Sequence, residues 1–392
     1  MTAEQLLTAD LPNFGEPRGG AQERAQLIRD SWAEVEERTE EMGRLFYATL
    51  FRIAPEARDL FPVNMEVQRS RLMRALVHVV QMIDQPDELA PFLEQLGRDH
   101  RKFGVVAEHY EAVGEALFTA IGTTAGPTVW TPEVRDAWVE AYTSVSTHMR
   151  TAAQAERGPA SWLGRVVGHE RLGWDLAILT VQTSEPIPYR AGQYVSVETP
   201  QRPRLWRYLS PANAPREDGT LEFHVRAVDG GWVSRAIVAH SNIGDTWRIG
   251  PPMGRMHVDP STGRELLMVT GGTGMAPIKA LLEDIAERPE QPRTQVFVGG
   301  RTWDDLYDFT SLRKFSYSNP WLDVVPVVEE DEEGTSGAER GTLADVVTRY
   351  GAWSDHDVLV CGSPAMIRAT VSRMLVAGTP LDRIKYDPFT MD

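Results

Sequence analysis

The hydrophobic period of this chain changes once, across residues 153 to 160, and that change rules out a fold built from one kind of element. Side chains return to one face about every 3.6 residues in a helix and at every second residue in a strand, so the two halves need different architectures. In the first half Leu27, Ile28, Trp32 and Val35 form one amphipathic stripe. Further helices are expected around 40 to 52, 66 to 82, 86 to 100, 108 to 121 and 132 to 152. The last carries Val134, Trp138, Ala141, Val145 and Met149 on one face. It opens with Thr131-Pro132-Glu133, in which threonine can cap, proline suits the first turn and glutamate complements the dipole. Residues 1 to 20, with Pro12, Pro17 and Gly19-Gly20, show no lasting period and read as a flexible tail.

Gly158-Pro159-Ala160 reads as a connection. Beyond it, Leu176, Ile178 and Thr180, and then Leu221, Phe223, Val225 and Ala227, alternate as strands, pointing to a small antiparallel barrel over 160 to 260. Over 264 to 392, short apolar strands (266 to 270, 296 to 299, 324 to 328 and 358 to 361) alternate with helical stretches, which is the signature of a parallel sheet. The expected fold is therefore multidomain: an all-α domain over 21 to 155, an antiparallel β-barrel, then an α/β parallel-sheet domain.

A chain of 392 residues suffices for two to three domains, each with its own core. With 56 acidic and 40 basic residues the formal charge is −16, which disfavours nucleic acid and anionic membranes as partners. The single cysteine, Cys361, excludes an internal disulfide framework and fits a reducing compartment, the cytoplasm being the simplest. No apolar run approaches the roughly 20 residues of a membrane span, and the first residues lack a secretory signal pattern. The acidic run Glu329 to Glu333 reads as a solvated loop.

A haem pocket needs an axial imidazole within mostly apolar walls. Nine histidines are scattered through the chain, and a lone histidine in a helical domain is more often a core or surface residue than a ligand, so His78, His100 and His109 all stand as candidates. The wider register separates them. Asp99-His100-Arg101-Lys102-Phe103-Gly104-Val105, followed by Tyr110, together with Phe46-Tyr47, Phe51, Pro55, Phe61, Gln68-Arg69 and Leu72, resembles the globin part of the flavohaemoglobins. The resemblance implies haem b, with His100 as the iron ligand and Tyr110 beside it. It makes Tyr47 the tyrosine that hydrogen-bonds bound O₂, Gln68 its distal neighbour, Leu72 the apolar gate and Phe61 the ring packed on the haem. Two positions depart from the family. Ala153 stands where relatives carry a glutamate that increases the imidazolate character of the ligand, Glu156 following three residues later. Asp99 stands where a lysine is usual, and a carboxylate there is expected to lower the haem potential.

The second half resembles the ferredoxin-NADP reductase superfamily over about 160 to 392. Tyr189-Arg190-Ala191-Gly192-Gln193-Tyr194 is similar to the R-P-G-Q-Y strand whose tyrosine lies along the flavin. Arg207-Tyr208-Leu209-Ser210 takes the place of R-x-Y-S, whose arginine binds the FAD diphosphate as a planar fork. Gly230-Gly231-Trp232-Val233-Ser234 resembles the G-G-x-x-S turn that admits a phosphate. Leu209 replaces the expected flavin tyrosine, so looser FAD retention is expected, and alternation turns Tyr208 to the opposite face. Gly271-Gly272-Thr273-Gly274-Met275-Ala276-Pro277 joins a strand to a helix, as a dinucleotide diphosphate requires. Cys361-Gly362-Ser363-Pro364 resembles the segment near the nicotinamide, the alternative being a buried cysteine that serves as a small core hydrophobe. Phe389 falls where relatives place an aromatic near flavin and nicotinamide. Arg301 could meet a ribose 2′-phosphate, yet such arginines occur with NADH as well, so NADH and NADPH stay open.

Taken whole, the chain resembles a flavohaemoglobin. The implied reaction is nitric oxide dioxygenation, in which electrons from NAD(P)H pass through FAD to haem, and NO and O₂ become nitrate. Two alternatives stand beside it: an O₂ or NO sensor with a resetting flavin reductase, and a haem oxidase or reductase acting on another substrate. Oligomeric state is open.

Overall fold

The computed structural model describes residues 19 to 228, 230 to 331 and 337 to 387, and the chain divides into two compact units after Gly158. Most of the expected tail lies outside the described residues, but Gly19 and Gly20 already belong to the first helix.

The first unit is helical: α1 (Gly19–Glu36), α2 (Thr39–Ile53), α3 (Glu66–Met82), α4 (Pro86–His100), α5 (Ala107–Ala125) and α6 (Pro132–Ala155). Ile28, Trp32 and Val35 of α1 are buried, as their spacing requires, against Phe46 and Leu50 of α2, Ile121 of α5 and Trp138 of α6. Thr131 caps α6 through its hydroxyl, which accepts from the Val134 N–H at 3.4 Å, and Pro132 takes the first turn. The Trp138 indole N–H donates to Ser31 Oγ at 3.0 Å, so the polar edge of a buried ring is satisfied where α6 meets α1. Gly97 brings α4 against α6: a Cβ there would run into the Met149 carbonyl.

The second unit begins with β1 (Trp162–Arg171), β2 (Leu176–Thr183), β3 (Val195–Glu198), β4 (Trp206–Leu209), β5 (Thr220–Arg226), α7 (Trp232–His240) and β6 (Thr246–Ile249). All the pairings are antiparallel in the order β4-β3-β6-β1-β2-β5. A bridge from Pro211 to Phe223 brings the two ends together, giving a nearly closed barrel around Phe223, Trp247, Leu179 and Ile249. Leu221, Phe223 and Val225 point inward as read, but the inward face of β2 is Ala177, Leu179 and Val181, with Ile178 and Thr180 half-exposed.

The same unit continues as β7 (Leu266–Gly271), α8 (Met275–Ala286), β8 (Thr294–Gly300), α9 (Phe309–Tyr317), β9 (Leu322–Val328), β10 (Glu339–Arg340), α10 (Leu343–Tyr350), β11 (Asp357–Cys361), α11 (Pro364–Ala377) and β12 (Ile384–Lys385). These strands are parallel in the order β10-β9-β8-β7-β11-β12. The chain leaves β7 to one side for β8 and β9, and returns to its other side as β11. That reversal puts the crevice at the carboxyl ends of β7 and β11, where open α/β sheets receive ligands.

Candidate functional site

In the helical unit, α4 ends at His100, whose Nδ1 lies 2.7 Å from the Leu96 carbonyl. A carbonyl can only accept, so Nδ1 carries the proton and Nε2 keeps its lone pair for a metal. Burial holds this imidazole below its usual pKa, with Asp99 opposing, so the ring is neutral at neutral pH. The rivals are otherwise engaged: His109 Nδ1 accepts the Val106 N–H at 3.2 Å, and His78 packs edge-on against Phe92 with ring centroids 4.6 Å apart. Along α3, Leu72, Met73, Leu76 and Val77 are apolar and only partly buried. Half-covered apolar side chains on one helix, with a free imidazole nitrogen on another, fit a flat apolar macrocycle.

Tyr47 of α2 is buried, ringed by Phe46, Phe51 and Phe61 at centroid distances of 4.8, 5.9 and 5.4 Å. Its hydroxyl donates to the Gln68 backbone carbonyl at 3.5 Å, and burial raises its pKa well above the ordinary phenol value. It is therefore a permanent donor. Tyr110 of α5 packs among Leu89, Leu93 and Met149, and its carbonyl accepts from the Tyr142 hydroxyl at 2.5 Å.

The expected lowering of the haem potential by Asp99 needs correction. Asp99 is buried, but Lys102 Nζ lies 2.5 Å from its Oδ1, and the Lys102 side chain is 1% exposed. The pair is neutral overall, so its field at His100 is that of a short dipole and not of a charge. The i, i+3 spacing was the signal for this partner. Ala153 lies inside α6 and Glu156 is exposed past its end, so neither supplies the carboxylate that relatives use.

In the barrel, Tyr194 and Tyr208 meet edge-on, ring centroids 5.3 Å apart. Tyr208 pairs with Ser196, so it shares a face with Tyr194, while Leu209 turns inward against the barrel core. An aromatic ring therefore does stand beside the expected flavin tyrosine, one residue earlier than the motif puts it. Arg207 and Ser210 flank it, half-buried. Gly230, in the left-handed region at φ 74°, and Gly231 lead into α7. Val233 and Ser234 are buried under that turn, and Ser234 Oγ accepts the Val228 N–H at 3.4 Å. The α7 N–H groups thus follow two glycines, Gly230 and Gly231, that carry no side chain, which fits the close approach of a phosphate.

At the end of β7, Gly272, Thr273 and Gly274 make one tight turn before α8. A Cβ on Gly274 would lie 2.6 Å from the Cys361 carbonyl, so only glycine lets this turn close against β11. Met275, Ala276 and Pro277 are buried and anchor the turn, Pro277 falling in the first turn of α8, where no backbone donor is needed. Gly362 follows Cys361 beside Gly271. Cys361 is buried with Sγ 3.5 Å from Met256 Sδ, and burial pushes its thiol well above the usual value, so it packs as a small hydrophobe. Arg301 follows β8, its Nε 2.8 Å from Glu330 Oε1. Phe389 lies outside the described residues, as does part of the acidic run. Asp387 went unnoticed in the sequence: it is buried, and its Oδ1 accepts the Arg255 N–H at 3.2 Å.

Three family models match in chain order: Globin over residues 44 to 149, Oxidoreductase FAD-binding domain over 164 to 258 and Oxidoreductase NAD-binding domain over 268 to 372. A flavohemoprotein of Bacillus subtilis (strain 168) is 23% identical over 385 residues, covering 93% of this chain and 96% of that protein. One from Rhizobium meliloti (strain 1021) is 26% identical over 379 residues, covering 88% and 92%. The crystal structure of a flavohemoglobin from Malassezia yamatoensis with bound FAD and heme shares the fold, with a TM-score of 0.76 at 16% identity, covering 93% and 98% of the two chains.

Proposed function

The chain belongs to the flavohaemoglobins, NAD(P)H-dependent haem and FAD oxidoreductases, and from that premise we propose that it is a nitric oxide dioxygenase turning NO and O₂ into nitrate. The observation that carries the proposal is Tyr47: a buried hydroxyl that stays protonated, in a globin fused to its own reductase. When bound, haem supplies the centre that takes O₂, and FAD and NAD(P)H supply the electrons.

The side chains have separable tasks. His100 offers Nε2 to iron, and the Leu96 carbonyl fixes the plane of its ring. Tyr110, packed among Leu89, Leu93 and Met149, would support that side of the pocket. The Tyr47 hydroxyl, held by the Gln68 carbonyl, would donate a hydrogen bond to O₂, Gln68 would border that donor, and Leu72 and Phe61 would keep the surroundings apolar. Water exclusion strengthens the tyrosine's hydrogen bond. In the reductase, Tyr194 and Tyr208 present rings to the flavin; Arg207, Ser210 and the Gly230 to Ser234 turn hold its phosphates. Gly272 to Gly274 admit the dinucleotide diphosphate to the α8 N-terminus.

No helix among the described residues is long and apolar enough to cross a membrane, and the buried thiol of Cys361 suits a reducing compartment; we place the protein in the cytoplasm. A second reading, a gas sensor whose reductase resets the haem, draws support from Ala153, which supplies no carboxylate that would strengthen His100 as a donor to iron. The test follows NO consumption and nitrate formation by the haem- and FAD-loaded chain under air with NADH or NADPH. Nitrate in step with NO consumed, at a catalytic rate, is the expected result. Haem reduction without NO turnover would reject the dioxygenase in favour of the sensor.

A further inference from the structure

Beyond the Gly272 to Gly274 turn, the next strand of the sheet is β8, and its end is where the adenosine ribose of a dinucleotide bound at such a turn comes to lie. Two side chains there point to opposite cofactors. An arginine favours the 2′-phosphate of NADPH, and a carboxylate favours the 2′-hydroxyl of NADH. This chain has both. Gly300 of β8 pairs with Val328 of β9, and the two backbones continue side by side: the Glu329 N–H donates to the Gly300 carbonyl at 3.2 Å, and the Glu330 N–H to the Arg301 carbonyl at 2.8 Å. That register sets Glu330 opposite Arg301, with Arg301 Nε 2.8 Å from Glu330 Oε1. From the other side Asp305 folds back, its Oδ2 accepting the Arg301 N–H at 3.1 Å and the Thr302 N–H at 3.0 Å. Gly300 permits this, since a Cβ would lie 2.6 Å from the Asp305 Cβ.

We propose that the Arg301–Glu330 pair, with Glu329 and Asp305, makes this a NADH-selective reductase, in which carboxylates accept from the ribose 2′-hydroxyl and repel a 2′-phosphate. Arg301 is one cation among three carboxylates, and its Nε is already committed, so a phosphate monoester carrying about −1.5 to −2 charge enters a net negative field. The same fork, released from Glu330, would welcome that phosphate bidentately. The inference rests on the reductase half binding a nicotinamide dinucleotide, and is independent of the gas chemistry at the haem.

The test uses the haem- and FAD-loaded full chain and two adenosine fragments, 5′-AMP and 2′,5′-ADP, titrated by calorimetry without turnover. In the unaltered chain 5′-AMP should bind about tenfold tighter or more, and the ratio should shrink in 1 M salt, where the screening length falls to about 3 Å. Glu330→Gln should raise the affinity for 2′,5′-ADP relative to 5′-AMP about tenfold, and adding Arg301→Ala should remove the gain. FAD content and α-helical signal report whether each variant is folded. Equal affinities in the unaltered chain, no binding of either fragment, or a ratio unmoved by Glu330→Gln would each overturn the proposal. NADH-driven nitrate formation without fragment discrimination would leave the dioxygenase reading standing and remove this one.

Discussion

The site proposed for the haem and those proposed for the nucleotides are built by opposite means. In the helical unit the proposed contacts are side chains from helices far apart in sequence: Tyr47 on α2, Leu72 on α3, His100 on α4 and Tyr110 on α5. In the reductase unit the proposed phosphate sites are contiguous turns, Gly230 to Ser234 and Gly272 to Gly274, whose backbone N–H groups would meet the ligand. A site made of side chains can be emptied by one truncation. A site made of backbone is more sensitive to an atom added than to one removed.

The largest expected effect tests the first half of that contrast. His100→Ala should leave purified full-length protein with less than about a tenth of its haem, because the axial bond is lost, while FAD content is unchanged. Normal haem content by pyridine haemochrome assay would show that another residue ligates. Next, Lys102→Met strands Asp99 as an unpaired buried carboxylate, which should cost about 3 to 5 kcal/mol of stability in the helical unit. Denaturant titration followed by α-helical signal measures it, and a midpoint unchanged from the parent would mean that the ion pair carries no weight.

In the reductase the expected effects are smaller. Burial raises the Asp387 carboxyl from 3.8 to about 6, so the folded chain retains a proton that the unfolded chain releases across that interval. The stabilising contribution is present below about pH 4 and is lost as pH rises through about 6, leaving a cost of roughly 2 to 3 kcal/mol at neutral pH. Asp387→Asn should therefore raise the thermal midpoint at pH 7.5 and hardly alter it at pH 4; an equal shift at both would contradict the linkage. The smallest effect concerns the flavin. Tyr208→Ala should weaken FAD binding by about 1 kcal/mol, since one ring of an edge-on pair is lost, whereas Leu209→Tyr, at a side chain that faces the barrel core, should not strengthen it. FAD dissociation constants by fluorescence decide, and a Tyr208→Ala value equal to the parent's would remove Tyr208 from the flavin site.

Legibility in the sequence followed the same division. The helices were readable because their apolar residues fall on one face only: Ile28, Trp32 and Val35 are all buried. In β2 the stretch from Leu176 to Leu179 is apolar in both phases, so period two marks a strand without saying which face is inward, and the packing chose Ala177, Leu179 and Val181. The glycine turns could be found from residue order alone, and at Gly230 and Gly272 the left-handed backbone itself favours glycine. Leu209 looked like the loss of an aromatic, because a motif records positions along the chain and not the ring that a neighbouring strand brings alongside. Tyr194 and Tyr208 meet only through the β3 to β4 pairing.

By itself the sequence determined the kinds of element, their order and the local turns, because these depend on interactions between residues a few positions apart. It also carried the family register on which His100 and Tyr47 were singled out. The tertiary structure decided which charges count. Asp99 is cancelled by Lys102 one helical turn away, Arg301 is held by Glu330 from the segment that follows the neighbouring strand, and Asp387 is shifted by burial. A charge's effect depends on its distance to other charges and on the water around it. Neither quantity exists for a residue until the chain has folded.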